Sequence, residues 1–403
     1  MSSVAGPATL AVSAPSPSQT YEILSTARYA IEDLVSAVRR LGASDLHIKV
    51  GSPPILRVHG ELGRLEGFDP LSEHDVLGLL YQMLTDPVRL ERLHRTGAVD
   101  FAFDSEQEIR FRVNAFQERG RFSIACRPIP DFIKGFAELN LPPVLEKIAD
   151  EERGLILVTG TTGSGKSTTL AAMLDWINER KAKHIVTIED PVEFLHNDKR
   201  SAMAQREIGR DTPSFHEALR YVLRQDPDVI LIGEMRDEET VRTALTAAQT
   251  GHLVMSTLHT LDAPETINRI VDFFEPHMQG QVRAMLAGTL RAIISQRLVP
   301  TADTRGRVPA CEILRNSARV QAMLLNPDEL VNLHDAIAEG GYYEMQTFDQ
   351  ALLALVQDGK VSLDDALPLA SRPHDFRLLL ESGGERSGSL AHVDFFDDPS
   401  EQA

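Results

Sequence analysis

The stretch Leu155–Leu174, LILVTGTTGSGKSTTLAAML, constrains this chain more than any other. An apolar run of strand length leads into a glycine-rich loop, and a helix-forming run follows, which matches GxxxxGK[ST] in the strand, loop and helix context that the motif needs. Gly160, Gly163 and Gly165 let the backbone curl around a phosphate with its N–H groups pointing inward. The helix that follows presents its positive N-terminus, Lys166 on an expected solvent-facing loop neutralises β/γ oxygens, and Ser167 offers a hydroxyl to Mg²⁺. A chance glycine-rich turn would not come with both flanks, so the segment reads as a phosphate site for a nucleotide.

Nucleotide binding becomes hydrolysis only when carboxylates hold the metal and orient water. The segment TIEDPVEF, Thr187–Phe194, ends a strand in Glu189 and Asp190 at the edge where open α/β sheets bind ligands. Standing alone, it reads equally well as an acidic surface turn. In DPDVILIGEMRD the buried run Val229–Ile232 is followed by Gly233 and Glu234, whereas Asp228 precedes it, unlike the common form in which an aspartate ends the run. With a glutamate at that place, contact with Mg²⁺ through water is favoured over direct ligation. In GHLVMSTLHT the strand Leu253–Ser256 leads to His259 at its C-terminal end, and His252 begins it. A lone histidine is more often structural than functional, and His252 is read as structural.

Composition narrows the class. A chain of 403 residues is long enough for two or three domains. Its net charge of −18 argues against sequence-blind affinity for nucleic acid or anionic lipid. Cys126 and Cys311 form no CxxC, which leaves no disulfide framework or four-cysteine zinc site and fits a reducing cytoplasm. No apolar run reaches the roughly 18 residues that span a bilayer. Residues 1–20 read as a disordered tail without a signal peptide, and residues 381–403 as a disordered acidic tail.

Between the tails, residues 21–127 read as one α+β domain. A helix is expected over Tyr21–Leu41 with Gly42 ending it, then short strands at Asp45–Val50 and Ile55–Val58, a helix capped by Ser72, and strands at Val99–Asp104, Ile109–Phe116 and Arg121–Arg127. Four prolines in RPIPDFIKGFAELNLPP make residues 128–143 a linker. Residues 144–300 then alternate strand and helix patterns, as in a parallel sheet covered by helices. From about Gln279 through Leu298, and on through residues 301–380, the chain is expected to be mostly helical.

Taken together and in this order, GTTGSGKST, TIEDPVEF, DPDVILIGEMRD and GHLVMSTLHT resemble the secretion ATPase superfamily of type II secretion and type IV pilus motors. The resemblance is strongest to the twitching-motility (PilT-like) pilus retraction ATPases. It runs from SDLHIKVGSPPILRVHGEL through RFRVNAF, QREIGRDT and ISQRLVP to MQTFDQAL near Met345. It implies a PAS-like N-terminal domain, a flexible linker and a RecA-like P-loop ATPase core with C-terminal helices. It further implies a Walker A segment made of Gly160, Thr161, Thr162, Gly163, Ser164, Gly165, Lys166, Ser167 and Thr168. Glu193 resembles the glutamate that activates water, Glu234 the Walker B acid and His259 the histidine-box residue. Arg112 and Arg127 resemble the arginines offered to nucleotide, a task for which the fixed charge and fork of arginine suit phosphate oxygens. A strand arginine paired with a nearby acid is the alternative for both.

The same resemblance implies a homohexameric, cytoplasmic ATP hydrolase using ATP and Mg²⁺ at the inner face of the cell membrane. Its partners would be an inner-membrane pilus platform protein and related pilus ATPases, with the membrane reached only through protein contacts. Pilus assembly and type II secretion ATPases carry a tetracysteine zinc element that two distant cysteines cannot supply, so retraction is favoured over assembly. The segment EILRNSARVQAMLLNPDEL departs from the more basic helix of the retraction ATPases. A nucleotide-gated accessory subunit with little hydrolysis of its own is the alternative, and intact Lys166, Glu193, Glu234 and His259 argue against it. A nucleic-acid motor is disfavoured by the net charge and by the lack of an aromatic-basic stripe.

Overall fold

The computed structural model describes residues 17–58, 60–130, 132–304 and 306–381. They divide into two units: one reaching Phe132 and taking in Glu193–Leu195, and one formed by Ile133–Val192 with His196 onward.

The first unit is an α+β domain. Its elements are α1 (Pro17–Ser25), α2 (Ile31–Leu41), β1 (Asp45–Lys49), β2 (Ile55–Val58), β3 (Glu61–Arg64), α3 (Glu73–Met83), α4 (Pro87–Thr96), β4 (Ala98–Asp104), β5 (Arg110–Glu118) and β6 (Arg121–Pro128). The six strands form one antiparallel sheet in the order β3-β2-β1-β6-β5-β4. Alternation gives β1, β5 and β6 a buried face: Leu46 and Ile48, Phe111, Val113 and Ala115, and Phe122, Ile124 and Cys126 pack with Leu34, Val38, Leu79 and Leu93 of the helices. Ser72 caps α3 as expected, in a capping box closed by Asp75.

The single helix expected over Tyr21–Leu41 is instead two, and the first begins at Pro17, inside the stretch expected to be a tail. The break has a local cause. Ser25 Oγ and Thr26 Oγ1 both donate to the Glu22 carbonyl, at 2.9 and 2.7 Å, and so compete with helix propagation. Ala30 then adopts an extended conformation and α2 starts afresh, to end where Gly42 takes the left-handed conformation at φ 60°. The remainder of both expected tails, residues 1–16 and 382–403, lies outside the described residues.

In the second unit Phe136 and Leu141, within the stretch expected to be a linker, are buried against α5 (Val144–Ala149) and the sheet behind it. The sheet is built from β7 (Gly154–Thr159), β8 (His184–Glu189), β9 (Ala202–Glu207), β10 (Val229–Ile232), β11 (Leu253–Leu258), β12 (Leu290–Pro300) and β13 (Arg307–Arg315). Its order is β13-β12-β7-β11-β10-β8-β9, parallel except for the β12/β13 pair. The helices α6 (Lys166–Arg180), α7 (Phe215–Val222), α8 (Glu238–Gln249), α9 (Ala263–Asp272) and α10 (Pro276–Thr289) accompany these strands. In β7, Leu155 and Leu157 join one apolar cluster while Ile156 and Val158 join another, so the strand is buried on both faces. The chain after β13 is mostly helical: α11 (Ala318–Leu325), α12 (Leu333–Ala338), α13 (Phe348–Gln357), α14 (Leu363–Ala366) and α15 (Pro373–Glu381).

The helical expectation for Gln279–Leu298 fails after Thr289. Leu290–Pro300 is the strand β12, seated beside β7, and the core sheet continues through β13 to Arg315. Ala292, Ile293, Ile294 and Ser295 are all buried, so the run lacks the alternation of a half-exposed strand and reads like a buried helix segment. Among the described residues no helix is long and apolar enough to cross a membrane.

Candidate functional site

The glycine-rich loop leaves the C-terminal end of β7 and enters α6 at Lys166. Gly160 and Gly165 have φ of 140° and 91°, and a Cβ on either would collide with β12. It would lie 2.4 Å from the Gln296 carbonyl oxygen at Gly160 and 2.8 Å from Gln296 Nε2 at Gly165. Gly165 is the N-cap residue of α6 and offers no side chain to its first turn, so that helix end is left to a ligand. Lys166 is not solvent-facing as expected but buried at 8% exposure. Its ammonium donates to the carbonyls of Gly160 and Thr161, at 2.8 and 3.0 Å, because the loop folds back over its own lysine.

Three strand ends then bring the remaining groups together. Lys166 Nζ is 3.5 Å from His259 Nδ1, directly after β11, and His259 Nε2 is 3.4 Å from Glu234 Oε2, after β10. Glu234 also pairs with Arg236, and that contact holds the guanidinium pKa above its ordinary value. The two turns are tied to each other: Thr257 Oγ1 donates to the Gly233 carbonyl at 2.7 Å, and Met235 N–H to the Thr257 carbonyl at 3.2 Å. Gly233 N–H donates in turn to the Ile188 carbonyl of β8 at 2.8 Å. A lysine, a histidine and an acid thus form one contact chain along the C-terminal edge of a parallel sheet, where open α/β sheets bind ligands.

The other sequence candidates are held elsewhere. Asp228 accepts from His184 N–H at 2.9 Å at the starting ends of β8 and β10, and His252 Nδ1 lies 3.0 Å from the Ala247 carbonyl just before β11. Both sit at the edge opposite the P-loop. Arg112 and Arg127 are directly opposed on neighbouring strands β5 and β6. Arg127 Nε and Nη2 both donate to Asp45 Oδ1, at 2.9 and 2.7 Å, so this arginine already has an acid partner. Arg112 Nη1 lies 3.9 Å from Glu193 Oε1, and both belong to the first unit.

This arrangement has known relatives. The family model for "type II/IV secretion system protein" matches residues 26–366. The chain belongs to the type II/IV secretion system protein family. Within that family it is 44% identical, over 86% of its length and 99% of the relative's, to a protein of Pseudomonas aeruginosa named type IV pilus retractation ATPase PilT. It is 38% identical to the type IV pilus ATPase PilU of the same organism, covering 88% of this chain and 92% of the relative. Among solved structures, the pilus retraction motor PilT with bound ADP superposes with a TM-score of 0.80 at 43% identity, covering 86% of this chain and 99% of that one.

The residues of this family member suit a nucleotide. Ser164 Oγ is a buried hydroxyl with no hydrogen-bond partner, in the loop that would receive phosphate. The uncapped start of α6 supplies N–H groups beside it. Among the described residues no cluster of three or more His, Cys, Asp or Glu is placed to hold a metal ion. The sequence reading overlooked Arg236, although it stands two residues beyond Glu234, and it overlooked Gln296 and Thr169, which carry no phosphate-binding signal of their own.

Proposed function

We propose that this chain is the ATP-hydrolysing subunit of a homohexameric motor that retracts type IV pili and so drives twitching motility. The observation that carries the reading is the contact chain Lys166, His259, Glu234 beside a P-loop of fitting geometry. The likeness to PilT over nearly the whole of that relative supports pilus retraction as the work performed.

In this reading the loop Gly160–Thr168 encloses the phosphates, and Lys166 gives up its carbonyl partners to neutralise β/γ oxygens. Ser167 Oγ and Glu234 would hold Mg²⁺, which supplies charge neutralisation across the phosphates when bound. Glu193 accepts the proton of the attacking water as its oxygen bonds to the γ-phosphorus and the bond to the bridging oxygen breaks, releasing ADP and phosphate. His259 senses the γ-phosphate end of the site through Lys166 and Glu234. Arg112 and Arg127 add fixed positive charge, Arg127 exchanging Asp45 for phosphate. Force would pass to an inner-membrane pilus platform protein from the cytoplasmic side, with related pilus ATPases as further partners, because weak contacts repeated around a ring add up to a firm one.

Deleting the gene tests the work, and Lys166→Ala tests the chemistry. Cells lacking the protein should carry surface pili and fail to twitch; bald cells would overturn retraction in favour of assembly. Purified Lys166→Ala should lose ATP hydrolysis, and turnover near that of the wild type would overturn the site itself.

A further inference from the structure

Strand β12 does not stop where its neighbour does. Its last residue paired with β7 is Ser295, opposite Thr159, and it continues to Pro300 paired with β13 alone. Gln296 is therefore the first residue beyond the end of β7, at the level where the P-loop begins. Its backbone carbonyl closes against Gly160, and its side-chain Nε2 faces Gly165, at the clearances that forbid a Cβ on either glycine. Its Oε1 accepts a hydrogen bond of 2.8 Å from Thr169 Oγ1 in the first turn of α6. Gln296 and Thr169 are 3% and 1% exposed, so water does not compete for these contacts.

Each contact has a definite effect. The amide is held at both ends: its oxygen accepts from the Thr169 hydroxyl, and its nitrogen faces Gly165. A helical threonine commonly returns its hydroxyl to the carbonyl four residues back, here Gly165; Thr169 instead spends it on another strand, while its own N–H bonds to Gly165 O at 3.0 Å. One residue thereby meets the start of the loop through its backbone, and the loop's end and the helix that follows through its side chain.

We propose that Gln296 is a positioning residue for the nucleotide, holding the Gly160–Gly165 backbone in the shape that receives phosphates, with the Thr169 hydroxyl anchoring its side chain. This rests on the phosphate reading of the loop. Because loop shape acts on bound phosphate before and during the reaction alike, disturbing it raises KM more than it lowers kcat.

The test uses the full chain with Gln296→Met, Thr169→Val and both together, each of similar volume to the original, and reads KM for ATP, kcat, and Kd for a fluorescent ADP analogue. Gln296→Met should raise KM and Kd about tenfold with kcat within about twofold, in line with a lost buried hydrogen bond. Thr169→Val should shift both in the same direction, and the double variant should be no worse than Gln296→Met, since Thr169 acts through Gln296. A purely structural role would lower the melting temperature and the active fraction and leave KM unmoved. Wild-type KM and Kd in both single variants would overturn the proposal, provided Lys166→Ala loses binding in the same assay. If Lys166→Ala binds as tightly as wild type, the phosphate reading falls and this inference with it. Should Gln296→Met fail to fold by circular dichroism, Thr169→Val decides alone: a raised KM supports the proposal and an unchanged one overturns it.

Discussion

Replacing Glu312 by Gln should make the second unit more stable at neutral pH, and the gain should vanish in acid. Glu312 lies on β13 opposite Ser295, and its Oε1 accepts the Ala263 N–H at the start of α9 at 2.9 Å. Burial pushes this carboxyl from an ordinary 4.5 up to about 7; the bond from Ala263 and the Arg297 charge oppose the shift, and Asp262 and Asp349 reinforce it. Below pH 4.5 the group is protonated whether the chain is folded or not. Between there and about pH 7 the folded chain keeps a proton that the unfolded chain releases, so stability falls as pH rises and levels off above about 7. At about 1.4 kcal/mol per tenfold, the interval from 4.5 to about 7 amounts to about 3 kcal/mol. Glutamine keeps an oxygen for Ala263 and has no charge to desolvate, so the variant escapes this loss. The single tryptophan, Trp176 on α6, reports urea unfolding of the second unit without interference from the first. Measured this way, the variant should gain on the wild type across about pH 5 to 8, and other titrating groups cancel in the difference. A difference constant to within about 0.5 kcal/mol over that range would refute the reasoning.

Three further outcomes follow from the site. Gly160→Ala should destabilise the second unit by at least about 2 kcal/mol in urea unfolding and weaken nucleotide binding, because φ there is 140° and its Cβ would lie 2.4 Å from the Gln296 carbonyl oxygen. Glu193→Gln should bind ATP as wild type does and turn over about 100-fold more slowly, since the amide keeps the shape and accepts no proton; normal turnover would move the water-activating role to Glu234. Glu234→Gln should lower kcat and leave the melting temperature within a few degrees, for the glutamate accepts from His259 and Arg236 at the sheet edge rather than filling the core.

The amino-acid sequence by itself marked out the glycine-rich loop and the strands leading to it. Gly160, Gly163, Gly165 and Lys166 stand at the spacing a phosphate imposes, and Leu155–Val158 and Val229–Ile232 are apolar runs too short for anything but buried strands. Glu234 and His259 were legible for the same reason, since a polar residue just past such a run stands at the ligand edge of a parallel sheet. Elsewhere the local signals misled. Burial on both faces erased the alternation that would mark β12, and two hydroxyls broke an otherwise continuous helical pattern near Glu22. Lys166 looked exposed because nothing in the loop's composition says that it closes over its own ammonium. Only the tertiary structure decided that Thr159 and Ser295, 136 residues apart, share a hydrogen bond of 3.1 Å, and that Gln296 therefore sits against the P-loop. Local patterns report how a segment folds on itself. Which strand lies beside which, and so which side chains complete a site, is decided when sheet pairing and burial are satisfied over the whole chain at once.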